Sequence, residues 1–529
     1  MLAVFLPSRT GNIAGFRTSE TNAIISSTTP TPLSARALRR LMAGSHSRRG
    51  IRRDLAHGRT VVCSGLRAYI LGEEARQKRI LRIEGARFSG ALDLRRVRLE
   101  HLQLELVNCT FEGDILLTGA VIESLDLTGS TMRALHADRL HVRDDLVLRG
   151  TRIGDTTGTP AAVVDPVSDG DRAIASRRVA EESTTAPLRL IAARIGGGIV
   201  LEGATLGGPG PWALFAPRAV VGDSLKASGL VALGALHLRD ARITHSVLLD
   251  HATVGGVEAT SMRCEGGFYG DWGFTSSGPV RLRGADIGLV VTFHDASLVG
   301  PAGTAVLSRL RTPRLRMDLR EAPTGKVLLR DARIGSYVDS PGSWPRAGGL
   351  DVEGLTYERL GSTEPVGVTE RLAWLARDVS ASASSFEQLA LSYQRAGHER
   401  SARRVRRARE QRLSRQERFG GRLWGALQDV LFGYGYAPGR ALLWLMLLVG
   451  AGSAWFATHR PAPANGSQRR AWDPVLFTLD LIVPFANLGH RTAWDPTGAD
   501  KSVAVILIAA GWLLATAVVA GAHRALSRT

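Results

Sequence analysis

Three histidines, His237, His245 and His251, lie close together in the chain and invite a metal reading. Zinc sites take ligands from positions that converge on one point. Spacings of eight and six residues put these three at unlike positions of a short repeat, so no metal is expected. Cys63, Cys109 and Cys264 are far apart with no CxxC pair. That pattern excludes a disulfide framework and a zinc ribbon and fits a reducing compartment. Gly196-Gly197-Gly198 would need to open a helix after a strand to cradle a dinucleotide phosphate, and no helical pattern follows it. There is no CxxCH, no cysteine set for an iron–sulfur cluster and no nucleophile elbow. No catalytic residue, cofactor-binding residue or metal ligand is therefore assigned. Two stretches remain. Arg263 to Phe274 sets Gly266, Gly267, Gly270 and Gly273 among aromatics, which gives either a ligand-binding lip or, more simply, a coil packed by its own rings. Between Arg400 and Arg422 stand ten arginines and two acids, a dense set of anion-binding groups.

The elements that must position these residues are read from a repeat. From about Leu81 to Gly335 the pattern aliphatic-x-aliphatic-x-Gly-Ala-x-aliphatic-x-Gly returns every ten or eleven residues. Paired aliphatics with period two are strand-like and too short for an amphipathic helix. A fixed short period with small residues between the aliphatics predicts a solenoid, mainly β, whose coils stack in parallel around an axial ladder of Leu and Ile. A charge at Leu127 or Ile195 should break that ladder. The repeat pauses at 154–187, a polar insertion at the edge of a coil. Leu206-Gly207-Gly208-Pro209-Gly210 and Leu298-Val299-Gly300-Pro301-Ala302-Gly303 recur about 92 residues apart, as equivalent loops at one corner would.

Ala86-Arg87-Phe88, Ala193-Arg194-Ile195, Ala204-Thr205-Leu206, Ala241-Arg242-Ile243, Ala285-Asp286-Ile287 and Ala332-Arg333-Ile334 each set a small residue two places before a large aliphatic or Phe. In this the chain resembles the pentapeptide-repeat proteins, and the resemblance implies a right-handed, four-sided β-helix. It departs from them in alternating five- and six-residue faces and in having mostly Arg after the small residue. The whole chain also resembles bacterial membrane-anchored repeat proteins described as membrane-associated oxidoreductases, which implies an oxidoreductase that no motif here supports.

The flanks carry the charge. The formal net charge is +18, yet residues 81 to 335 hold 30 basic against 29 acidic side chains. A neutral solenoid argues against mimicry of DNA. Residues 1–58 form a Ser-, Thr- and Pro-rich basic arm, expected to be disordered. Residues 59–80 read as an N-terminal cap, 81–338 as the solenoid and 339–370 as an exit segment. Residues 371–435 read as a basic linker of two amphipathic helices broken near 380–385. Arg403, Arg404, Arg406, Arg407, Arg409 and Arg412 are its candidates for contact with anionic lipid headgroups, a reading preferred over nucleic acid.

Residues 436–529 read as a membrane domain with spans at about 441–457 and 502–522 and a short apolar helix at 475–489 in the loop between them. Aromatic residues at the ends of these runs and basic flanks place it as a two-pass plasma-membrane protein with both termini and the solenoid in the cytoplasm. The expected function is a membrane-tethered, non-catalytic scaffold that binds a protein partner on the solenoid, with a homo-oligomer as a further option. The alternatives are a two-helix oligomeric pore and the oxidoreductase. The pore would use the layout of a potassium channel, but Phe485 to His490 lacks the Thr and the Gly-Tyr-Gly of a carbonyl filter.

Overall fold

The computed structural model describes residues 25–26, 60–72, 79–157, 185–299, 304–416, 438–464, 471–483 and 488–526. Most of the N-terminal arm, the centre of the insertion, 417–437 and the filter-like 484–487 lie outside these residues. The chain divides into two compact units, Met1–Asp351 with Gly361–Glu364, and Val352–Leu360 with Pro365–Thr529.

The first unit is a parallel β-solenoid of about 12 turns. One coil shows its construction. Leu135–His136, His141–Val142, Leu146–Val147 and Arg152–Ile153 are four two-residue strands, one on each face. Each pairs in parallel with its counterpart one coil on, at Leu188, Arg194, Ile199 and Thr205. Strands of two residues cannot bury a face alone, so the stack supplies both the ladder and the core. Ala86 and Phe88, Ala193 and Ile195, and Ala285 and Ile287 are all buried, so both members of each small–large pair face the axis.

The recurring Leu-x-Gly-Ala phrase is a β-turn. Ala120 N–H donates to Leu117 O (2.9 Å), Ala204 to Leu201 (3.1 Å) and Ala285 to Leu282 (3.1 Å). The third residue alone has positive φ, as a type II turn requires and glycine allows. Arg139, Asp240, His251 and Asp331 occupy the same position without being glycine.

Outer charges pair along the columns between neighbouring coils, as in Arg133–Asp114 (2.8 Å), Arg149–Glu202 (2.8 Å) and Arg330–Asp351 (3.0 Å). That pairing accounts for the near-neutral solenoid. Ile153 to Leu188, Leu206 to Trp212 and Leu298 to Ala305 all connect a fourth strand to the next first strand. The insertion and both Gly-Pro loops thus share one corner. At the N-terminal end Val61–Val62 pairs with Phe88–Ser89, and α1 (Cys63–Ile70) buries Leu66 and Ile70. Ile25–Ser26, within the arm expected to be disordered, is a strand parallel to Ile83–Glu84.

The second unit is helical. Where two linker helices were expected there are three, α2 (Val368–Leu375), α3 (Ala383–Arg395) and α4 (Glu399–Gln416). The additional break is at Gly397, whose φ of +77 ends α3 while His398 N–H returns to Tyr393 O (2.8 Å).

The C-terminal part corrects the membrane reading. Residues 441–457 and 502–522 fall in α5 (Pro438–Thr458) and α7 (Ala499–Leu526), with α6 (Pro474–Ile482) between them. Among the described residues no helix is long and apolar enough to cross a membrane. One side of each run packs on α6 instead. Phe456 of α5, Phe477, Leu481 and Ile482 of α6, and Ala504 and Leu507 of α7 form one buried cluster. Phe456 and Phe477 meet edge to face at 4.9 Å. The two transmembrane helices, the two-pass plasma-membrane placement and the cytoplasmic orientation derived from them are overturned by this finding. Two apolar runs of near-spanning length here serve an intrachain core.

Candidate functional site

On the third face of the solenoid, Leu248, Tyr269, Thr292 and Arg316 follow one another in register, one per coil, with side chains outward. Trp272 stands at the corner after this face and Leu289 at the corner before it, the latter 60% exposed. The glycines around Tyr269 make room for rings. A Cβ at Gly267 would run into the ring of Tyr269, and one at Gly270 would press on Phe293 and Phe274. Tyr269 therefore lies back over its own strand turn, while Phe268, Phe274 and Phe293 fill the axis beneath it. The stretch from Arg263 to Phe274 is a bulged coil packed by its own aromatics, with a step of seven residues from Phe268 to Thr275 where the neighbouring coils step six, from Val247 to Thr253 and from Val291 to Ser297.

Trp272 is 55% exposed. Its backbone is left-handed, φ +50, followed by Gly273 at +87, and Phe274 N–H closes the turn on Asp271 O (3.1 Å). A bulky residue in this region carries a backbone cost that Asn or Gly would largely avoid. Its ring meets the edge of His294 at 4.5 Å.

Behind the tryptophan is a fixed polar group. Asp318, 8% exposed, accepts two bonds from Arg316, Nε to Oδ1 and Nη2 to Oδ2, both 2.8 Å. His294 Nδ1 lies 2.7 Å from Asp318 Oδ2. Arg316 Nη2 lies 3.1 Å from the same His294 Nδ1. Asp271 Oδ1 accepts from Thr292 Oγ1 (2.8 Å) and His294 N–H (2.6 Å). One coil back, burial holds the Asp250 carboxyl above the usual carboxylate range, and the nearby Asp271 charge adds to that. Arg320 donates to both oxygens of Asp295 (3.0 and 2.8 Å) and holds its carboxyl below the usual range. The result is an aromatic and aliphatic surface edged by an arginine whose orientation is already set.

The residues flagged in the sequence are scattered. His245 pairs with Asp223 at one corner (3.2 Å), His251 holds a left-handed turn position, and His237 is buried on the first face. His237 packs against Trp212 (4.8 Å) and Phe215 (4.4 Å), its Nδ1 has no hydrogen-bond partner among the described residues, and burial pushes its pKa down to about 4. Among the described residues no group of three or more His, Cys, Asp or Glu could hold a metal ion. Cys63, Cys109 and Cys264 are buried thiols, pushed up by burial to about 12, about 12 and about 11. Gly196, Gly197 and Gly198 lie between two strands, where a Cβ on the first would strike Arg143 O of the neighbouring coil.

Of the six arginines expected to meet lipid headgroups, three turn inward. Arg406 binds Glu387 (3.1 Å) and Gln394 (2.9 Å), Arg409 binds Glu387 (3.1 Å) and Glu410 (2.8 Å), and Arg412 donates to Val379 O (3.0 Å) and sits over the Phe386 ring. Arg407 is half-buried, while Arg403, paired loosely with Glu399 (3.6 Å), and Arg404 are exposed. His294, Arg316 and Asp318 were missed in the sequence. Aligning coils by their inward aliphatics would have stacked Asp250, Asp271, His294 and Asp318 in one column.

Comparison with protein-family models, curated proteins and solved structures finds no match to this chain.

Proposed function

We propose that the solenoid is a non-catalytic scaffold that binds a protein partner on its third face, around Tyr269, Trp272, Leu289 and Arg316. The observation that carries this reading is Trp272, the bulkiest side chain held in a left-handed turn, standing out from a rigid coil. Backbone cost retained beside an exposed aromatic points to use of that side chain. Trp, Tyr and Arg are the residues in which binding energy concentrates at protein interfaces. Because Arg316 is already locked by Asp318, little side-chain freedom is lost on docking.

The solenoid is further read as a pentapeptide-repeat type. The four strands per coil, the type II corners and the buried small–large pairs support that reading. The oxidoreductase alternative draws no support from the thiols, which burial keeps protonated. Among the described residues no helix is long and apolar enough to cross a membrane, as the pore alternative would require.

The test is quantitative capture of partners from a lysate of the source cells by the wild-type chain and by Trp272→Asn. Asn suits the turn better, so the variant should unfold at a slightly higher temperature yet hold at least about ten-fold less of a specific partner, the scale of one interface anchor. Equal capture by both proteins sinks the reading.

A further inference from the structure

Many outer charges of the solenoid pair from coil to coil, but one column does not. On the second face Arg194, Val220, Arg242, Arg263, Asp286, Arg311 and Arg333 follow one another in register, one per coil. All of them are exposed. Among the described residues none of the five arginines has an ion-pair or hydrogen-bond partner for its side chain. Asp286 stands between Arg263 and Arg311 and pairs with neither. At the corner before this face Arg218 and Arg309 are also exposed and unpaired, and both hold the left-handed turn position that glycine fills elsewhere.

This column works against the fold. Arg242 and Arg263 are direct cross-strand partners, and so are Arg311 and Arg333. Like charges set directly opposite each other destabilise a sheet. Elsewhere a carboxylate of the neighbouring coil offsets such an arginine, as Asp114 does for Arg133 and Asp351 for Arg330. On the second face the positive field is left open to an anion from outside. Strand spacings of about 4.8 Å carry the row from Arg194 to Arg333 over about 29 Å, the length of about eight base pairs of a double helix.

The face also selects among anions. No outward residue of the row is aromatic, so the bases of a single strand would have nothing to stack on. A flat anionic membrane would meet the carboxylates beside the row as well, Asp240 and Asp331 at one corner and Glu265 at the other, all exposed. A rod of phosphates meets the row along its length and needs neither rings nor an apolar wedge.

We infer that the second face, from Arg194 to Arg333, docks the phosphate backbone of duplex nucleic acid without reading its bases. This surface is separate from the third face around Trp272, and the inference does not depend on the protein partner proposed there.

The test is fluorescence anisotropy of a labelled DNA duplex of about 20 base pairs with the full chain, from about 50 to 200 mM salt. The basic arm and α4 are common to every variant, so the readout is the difference between variants. Arg242→Thr/Arg263→Thr puts a strand-favouring residue at two exposed positions and removes a stacked pair of like charges, so its unfolding temperature should hold or rise. Its duplex affinity should fall at least ten-fold, and its plot of log affinity against log salt should be shallower by about two. Asp286→Arg completes the row and should bind more tightly, with a slope steeper by about one. A double variant that keeps the affinity and slope of wild type overturns the inference, as does an Asp286→Arg chain that gains nothing. So does a larger loss, on the double substitution, for a single strand of the same length, for polyglutamate or for phosphatidylserine vesicles than for the duplex.

Discussion

The solenoid and the α5–α7 unit are both rich in aliphatics, but they dispose of them differently. In the solenoid Leu127, Leu148, Ile195 and Leu282 go to the axis, and the outward positions are left to Arg, Asp and Glu paired from coil to coil. Trp272 and Leu289 stand out because so little else apolar does. In α5 and α7 aliphatics take both sides of each helix, and only one side finds α6. A period of two with parallel stacking sorts side chains completely into in and out. Two helices around a short third cannot, because an apolar stripe covers only part of each circumference.

The sharpest way to break the comparison is to put a charge where sorting is complete. Leu127→Asp leaves a carboxylate on the axis with neither water nor a partner, and should cost more than about 4 kcal/mol, read as loss of the cooperative unfolding transition. A milder result would mean that the coils can open to solvent.

The next largest effect depends on pH and concerns His237, an outward position of the first face that is nonetheless buried. His237 is held neutral by burial, its pKa lowered from 6.5 to about 4. Between these values the unfolded chain binds the proton and the folded chain does not. The stability present above pH 6.5 is therefore lost as pH falls towards 4, by about 3 kcal/mol in all. Denaturant midpoints from pH 7 to 4.5 should fall steeply in wild type and less in His237→Phe; parallel curves would contradict the burial.

In the helical unit Gly511→Ala should destabilise by about 1–3 kcal/mol, as overpacking does, through its clash with Ile482. Thermal unfolding reads this directly, and an unchanged midpoint would mean that α6 and α7 are not in close contact. The smallest effect belongs to the solenoid surface. Arg133→Ala removes a solvent-exposed partner of Asp114 and should leave the unfolding midpoint within error.

How much of this was legible in the sequence follows from the same sorting. The small–large pairs such as Ala193 and Ile195 have a local reason for their spacing, so the coils and their corners could be read directly. Gly397 signalled the end of α3 and was passed over because the charge pattern around it continues. The fates of α5 and α7 could not be read from hydropathy, which counts apolar residues but does not record which side meets Phe477 and Leu481. Arg406 and Arg409 belonged to a basic run in the sequence, yet one carboxylate, Glu387, turns both inward. The site around His294 and Asp318 depends on residues 24 apart becoming neighbours, which only the coil register specifies.

The corner shared by the insertion and the two Gly-Pro loops carries a last consequence. A solenoid is close to a one-dimensional crystal, and extra residues within it act as dislocations that must be confined if the lattice is to continue. Here they collect along a single edge, between the fourth strand of one coil and the first of the next. The other three edges keep nearly constant length and so hold the lattice in phase. Added chain along that one edge leaves the third face undisturbed, so new loops there need not recut the surface around Trp272.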